Sequence, residues 1–250
     1  RRSPRAAGRA LLDGRGPGLR LAVRRRLRPL GGPRFGNLRR VAPVSRAFGY
    51  DRGSPVDRRY IEAFLAAHAS DIRGRVLEVG DDAYTRRFGG GRVEVSDVLH
   101  VHAENPKATI VDDLAGGERI PSAAFDCVVL TQTLHLVYDV QAAARTLHRV
   151  LKPGGVLLAT VPGISQVDRG EWGDTWYWAF TPASAGRLFR DAFPGGEVEV
   201  EAHGNVLAAS AFLYGLAAEE LRARELDHRD PQYPMLVTVR ARRAPAPEAP

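Results

Sequence analysis

Apolar positions along this chain fall into two periods. Short runs at residues 75–79, 93–96, 108–111, 125–131 and 156–161 are rich in β-branched and other apolar side chains and predict strands. Between the last two of these, residues 140–150 place Ala143, Leu147 and Val150 on one helical face. Lys152-Pro153-Gly154-Gly155 then stops that helix before the next strand. Upstream, Ser54-Pro55-Val56-Asp57 has the order of a helix start, with Ser54 as N-cap and Pro55 at the first helical position, and Tyr60, Ile61, Phe64 and Leu65 follow at helical spacing. Two further strands, at 197–202 and 235–241, flank a helix predicted over 208–226. Seven strands alternating with helical segments predict an α/β chain built on a doubly wound, mostly parallel sheet.

The turn after the first strand carries the chemistry. Val76-Leu77-Glu78-Val79-Gly80-Asp81-Asp82-Ala83-Tyr84 reads as a buried strand running into an acidic-glycine turn, and Asp97 follows Glu78 by nineteen residues near the end of the second strand. Two such strands ending side by side can hold a nucleoside, the second acid accepting from ribose hydroxyls. The turn lacks the glycines that admit a pyrophosphate at a helix start, which argues against a dehydrogenase.

Composition refines this picture in three places. The chain has 250 residues, 44% hydrophobic and 26% charged, enough for one sizeable core. Its net charge of +7 conceals an asymmetry: residues 1–46 hold fourteen arginines against Asp13 alone, leaving 22 basic against 28 acidic residues in the rest. The expected organisation is a basic arm over 1–50, a catalytic domain over 51–241 and a disordered Pro/Ala tail over 242–250. Cys127, the sole cysteine, lies in an apolar run and reads as core. No apolar run approaches the length of a membrane span and no signal-like block precedes a cleavage site, so a cytoplasmic location is the default. The only methionine is Met235, so the chain reads as processed or trimmed.

Taken together, the seven strands, the turn at Glu78 and Gly80, the acid Asp97, the strand containing Asp126, and Leu151-Lys152-Pro153-Gly154-Gly155-Val156 resemble class I S-adenosylmethionine-dependent methyltransferases over residues 54–240. Asp51-Arg52-Gly53-Ser54-Pro55-Val56-Asp57-Arg58 and Thr131-Gln132-Thr133-Leu134 are similar to a subgroup associated with sugar-modifying systems. The resemblance implies a Rossmann-like sheet whose seventh strand is antiparallel, with S-adenosyl-L-methionine across the carboxyl ends of the first four strands. It implies cofactor contacts from Glu78, Gly80 and Asp97, adenine contacts from Asp113 and Leu114 with Asp112 as near neighbour, and positions close to the sulfonium for Thr131 and Gln132. Asp82 and Tyr84 stand where that family has glycines, which predicts a wider loop with Tyr84 packed on the cofactor.

Methyl transfer is an in-line displacement, so the protein must align acceptor and methyl and exclude water. An alcohol acceptor also needs help to lose its proton, from a base or a metal. His135, directly after the fourth strand, is the first candidate base and Asp174 the second; His100, His102, His148 and His203 rank below them, and no histidine–carboxylate spacing suits a metal. All three tryptophans fall within residues 172–178, as expected of a lid that stacks on a sugar or planar acceptor, or of rings fastening a loop to the core. Arg52, Asp57, Arg58 and Tyr60 are placed to cap the other side of the cofactor, where arginine meets its carboxylate. The expected function is methylation of a small molecule or glycan, at oxygen. A catalytically silent binding or scaffold domain and a nucleic-acid methyltransferase guided by the arginine arm are the alternatives, nucleic acid being the less favoured partner. Oligomeric state is not readable.

Overall fold

The computed structural model describes residues 36–170 and 172–246. The expected arm therefore lies outside the described residues up to position 35, and the tail from position 247. Of the first unit of the chain, Arg1–Val41, a 3-10 turn at Gly36–Leu38 is described; a second compact unit begins at Ala42.

The second unit is built on a seven-stranded sheet of β1 (Gly74–Val79), β2 (Val93–His100), β3 (Ile110–Val111), β4 (Phe125–Thr131), β5 (Leu151–Pro162), β6 (Glu197–His203) and β7 (Leu236–Arg242). Their order is β3-β2-β1-β4-β5-β7-β6, and β7 runs antiparallel to both neighbours. The strand order reverses between β1 and β4, the point at which open α/β sheets bind ligands.

Five helices cover the sheet: α1 (Val56–Ala67), α2 (Val140–Val150), α3 (Pro182–Ala192), α4 (Val206–Leu213) and α5 (Ala223–Asp227). Strand β4 shows why both faces must be covered. Val128 and Leu130 pack with Leu147 of α2 and Phe189 of α3, whereas Cys127 and Val129 pack with Ile61 and Leu65 of α1 and Phe212 of α4. A strand buried on both faces reads as a continuous apolar run, as residues 125–130 do. Cys127 is fully buried, and that burial pushes its thiol pKa up.

Three local expectations are corrected. Ser54 does not cap α1: its backbone N–H donates to Glu219 Oε2 at 3.0 Å and its carbonyl accepts from Ala218, so Pro55 becomes the N-cap. The helix expected over 208–226 is broken after Leu213, because Gly215 adopts φ +68° against the carbonyl of Ser45, a place a side chain could not fill. Lys152 to Gly155 are not a free turn but a bulge at the start of β5, between the pairs Phe125↔Leu151 and Cys127↔Val156. Among the described residues no helix is long and apolar enough to cross a membrane.

Candidate active site

The carboxyl ends of the parallel strands open into a cavity of about 940 Å³. Six of the seven strands contribute to its wall: Gly80 after β1, His100 at the end of β2, Asp113 after β3, Gln132 after β4, Pro162 at the end of β5 and Leu236 at the start of β7. A second recess of about 710 Å³, lined by Glu78, Asp81, Tyr84 and Thr131, meets the first across Tyr50, Arg58, Val79 and Gly80. The two form one crevice over the β1/β4 switch point.

Glu78 organises the turn at its mouth. The side chain is 2% exposed, and its two carboxylate oxygens accept the backbone N–H groups of Tyr84 at 3.2 Å and Thr85 at 2.7 Å. Those bonds start a helical stretch, Thr85–Gly89, where a glycine-rich loop would otherwise pass. Burial raises the Glu78 carboxyl to about 7, the bonds from Thr85 and Tyr84 opposing the shift. Gly80 takes φ +94° with open space where a side chain would stand, leaving bare backbone facing the crevice. That exposed backbone is what a close-lying cofactor requires. Asp82 is buried and paired with Arg86, while Tyr84 leans on Phe88 and its hydroxyl accepts from Arg58 Nη1 at 3.3 Å.

Three predicted site residues stand apart from the lining of both recesses. Asp97 lies three residues before the end of β2; its carboxylate is occupied by Arg75 Nε at 2.7 Å and Thr109 Oγ1 at 3.0 Å, and it lines neither recess. His100 stands at the strand end and lines the cavity, its Nδ1 lying 3.1 Å from both the N–H and the carbonyl oxygen of His102. Leu114 is 3% exposed and belongs to the core beneath α2, whereas Asp113 beside it lines the cavity and bonds the N–H of Ala115. Asp112 instead accepts from the backbone N–H groups of Asp113 and Arg119. Asp174 is exposed on the turn Gly173–Thr175 and is not among the residues that line the cavity.

His135 lies in the cavity wall, 2% exposed, and neither ring nitrogen has a hydrogen-bond partner. Its ring lies 4.3 Å from that of Trp176, and burial lowers its pKa to about 4, so it is neutral at pH 7. Gln132 beside it holds φ +47°, a conformation rare outside glycine, and its Nε2 is likewise buried without a partner. Asp57, at the start of α1, adds a third such group: Oδ1 is buried and unpartnered, and burial raises its carboxyl pKa. Of the lower-ranked histidines, His203 bonds Thr238 Oγ1 at 3.0 Å and His148 packs on Phe193, and neither lines the cavity.

Aromatic rings roof the cavity. Trp176 stacks on Phe48 with ring centres 6.3 Å apart, and Trp172 stacks on His102 at 5.9 Å. Trp178 instead turns outward and ties its Nε1–H to the carbonyls of Val137 and Tyr138. The loop thus both lines the site and fastens itself to the core. Sequence reasoning missed Phe48 and Tyr50 as wall residues because composition assigned them to the arm; an aromatic-Gly-aromatic step after the last arginine of that stretch was the available signal.

The model of the methyltransferase domain matches residues 37–193 of this chain. The chain belongs to the methyltransferase-domain family. It is an S-adenosylmethionine-dependent methyltransferase. Its fold is shared with an S-adenosylmethionine-dependent methyltransferase from Mesorhizobium loti, 20% identical over 78% of this chain and 100% of that one, with a TM-score of 0.52. A methyltransferase from Archaeoglobus fulgidus is 13% identical over 80% and 100% of the two chains, with a TM-score of 0.51. The (4+2) cyclase SpnF is 18% identical over 78% and 85%, with a TM-score of 0.52. At such identities the likeness is one of fold. No curated protein matches the sequence. The bare backbone at Gly80 and the unpartnered polar groups of Asp57, Gln132 and His135 leave this methyltransferase with a crevice whose wall offers backbone and polar atoms to a polar cofactor.

Proposed function

We propose that this methyltransferase transfers a methyl group to a hydroxyl of a small molecule or glycan, in the cytoplasm, with His135 as the base. The observation that carries this reading is the buried, neutral imidazole whose two nitrogens are both unpartnered in the wall of an aromatic-lined cavity.

S-Adenosylmethionine supplies an electrophilic methyl when bound. Gly80, Asp113, Thr131 and Gln132 would hold it, Gly80 through bare backbone, Asp113 toward its adenine and Thr131 and Gln132 toward its sulfonium. Glu78 acts indirectly, by fixing the backbone of Tyr84 and Thr85 so that the turn keeps its shape. The acceptor hydroxyl would donate to a ring nitrogen of His135, which would take its proton as the new O–C bond replaces the methyl–sulfur bond and S-adenosylhomocysteine leaves. Trp172 and Trp176 stack on the acceptor and exclude water, which sharpens every electrostatic contact within. A neutral amine needs no such base, so the unpartnered imidazole favours oxygen over nitrogen.

Transfer of labelled methyl from S-adenosylmethionine to a panel of hydroxylated small molecules, glycans and amines tests this. Methylated hydroxyls, with turnover abolished in His135→Gln and cofactor binding kept, are expected. Methylation confined to amines, or normal turnover in the variant, would overturn it.

A further inference from the structure

Resting on the cofactor reading above, we infer that Asp57 and Arg58 together read the zwitterionic amino-acid end of the cofactor, Asp57 accepting from its ammonium and Arg58 donating to its carboxylate. Tyr84, which replaces a motif glycine, is the positioning residue for Arg58.

Asp57 is 9% exposed, lines the crevice, and leaves Oδ1 buried without a hydrogen-bond partner. An unpartnered carboxylate in such a place is costly unless a cationic or donor group arrives. The N–H groups of Asp57 and Arg58 and the charge of Arg58 act on the carboxylate from the first turn of α1, yet Oδ1 itself keeps no hydrogen-bond partner.

Arg58, the next residue, lines both recesses and so stands where they meet, against Gly80. Its Nε donates to Tyr50 Oη at 2.9 Å and its Nη1 to Tyr84 Oη at 3.3 Å. It makes no ion pair within 4 Å among the described residues, and Nη2 has no partner there. An arginine held by two phenols keeps its charge and one face of its fork for a ligand. Adjacent acid and base of this kind match a ligand group bearing ammonium and carboxylate on one carbon.

This also accounts for Tyr84. The side chain does not fill the space above Gly80, which stays open, but turns back to grip Arg58. The lost glycine is thereby replaced by a contact that the glycine could not make.

Calorimetry with three adenosyl ligands tests the inference without requiring turnover: S-adenosylhomocysteine, its decarboxylated amine, and methylthioadenosine, which lacks the amino-acid end. In Asp57→Asn, the first two should weaken by about ten-fold or more while methylthioadenosine changes less than about two-fold. In Arg58→Gln, only S-adenosylhomocysteine should weaken, and Tyr84→Phe should follow that pattern more mildly. Retained methylthioadenosine binding certifies that each variant is folded. Equal weakening of all three ligands by Asp57→Asn, or of none, would overturn the inference. So would wild-type protein that binds methylthioadenosine as tightly as S-adenosylhomocysteine, which leaves the cofactor reading intact; binding of none of the three would sink both.

Discussion

Arg75 Nε donates to Asp97 Oδ2 across 2.7 Å, tying the acid of the second strand to the first strand and away from the crevice. The pair is partly exposed on the arginine side and nearly buried on the aspartate side, and Thr109 satisfies the other oxygen. Asp97→Ala is expected to cost about 1–3 kcal/mol of stability by leaving partly buried donors unpaired, with S-adenosylhomocysteine affinity unchanged. Denaturant unfolding beside calorimetry checks this; lost affinity in a fully folded variant would restore Asp97 to the ribose.

His100 takes the strand-end position. Its Nδ1 lies 3.1 Å from both the N–H and the carbonyl oxygen of His102, so these local contacts fall on Nδ1 and leave Nε2 to a ligand. His100→Ala should weaken S-adenosylhomocysteine by about 1–2 kcal/mol, and a 2′-deoxyribose analogue should lose less. Equal losses for the two ligands would remove the ribose from this residue.

For His135→Gln, turnover should fall by about 10²–10⁴-fold, the usual contribution of a general base. The Michaelis constant for the cofactor should stay near wild type. A fall in cofactor affinity of the same size would make the residue a wall of the cofactor site instead of a base.

The buried histidines and Glu78 act oppositely on stability with pH. His135 and His203 are lowered from 6.5 to about 4, chiefly by burial, so the unfolded chain binds more protons between those values. Their contribution is complete above pH 6.5 and is lost as pH falls toward 4. Glu78, raised from 4.5 to about 7, contributes below pH 4.5 and loses that contribution as pH rises through 7. His148, lowered by burial, joins the other two histidines, and Asp57, raised by burial, joins Glu78, so three groups against two make acidification from pH 6.5 to 4.5 destabilising on balance. Melting temperatures across this range should show the fall, and His135→Gln should flatten it; an unchanged slope in the variant would refute the assignment.

Glu78→Ala removes the acceptor of two N–H groups in a buried turn. A loss of about 2–4 kcal/mol is expected, with faster hydrogen exchange confined to Tyr84 and Thr85 when the variant stays folded. Uniform exchange across the sheet would show that Glu78 serves the core as a whole.

The sheet was legible because burial on both faces leaves an unbroken apolar run such as residues 125–130, and the helix over 140–150 because a single stripe of Ala143, Leu147 and Val150 must face that sheet. The helix over 208–226 misled because its apolar content continues past Gly215, and only the approach of Ser45, 170 positions earlier, shows why the chain must turn there. Gly80, Tyr84, Asp113, Gln132 and His135, named from their places after strands, all line the crevice, since topology alone brings strand ends together. Asp97 and Leu114 stand off its lining: alignment to a strand end cannot reveal that β2 continues to His100, or which of two neighbours faces inward. Asp174 also stands off the lining, as a loop's sequence does not tell which side chains its turn exposes. Asp57 was named only as one of four cap residues, because the orphaning of a carboxylate is a property of packing.

Phe48 and Tyr50 carry a practical message for anyone shortening this chain. They stand in the cavity wall only two and four residues beyond Arg46, and the hydroxyl of Ser45 bonds the carboxylate of Asp51 just after them. A cut at position 51, where charge composition alone would invite one, would strip the phenol from Arg58 and the ring from Trp176. A cut at or before position 41 would spare both.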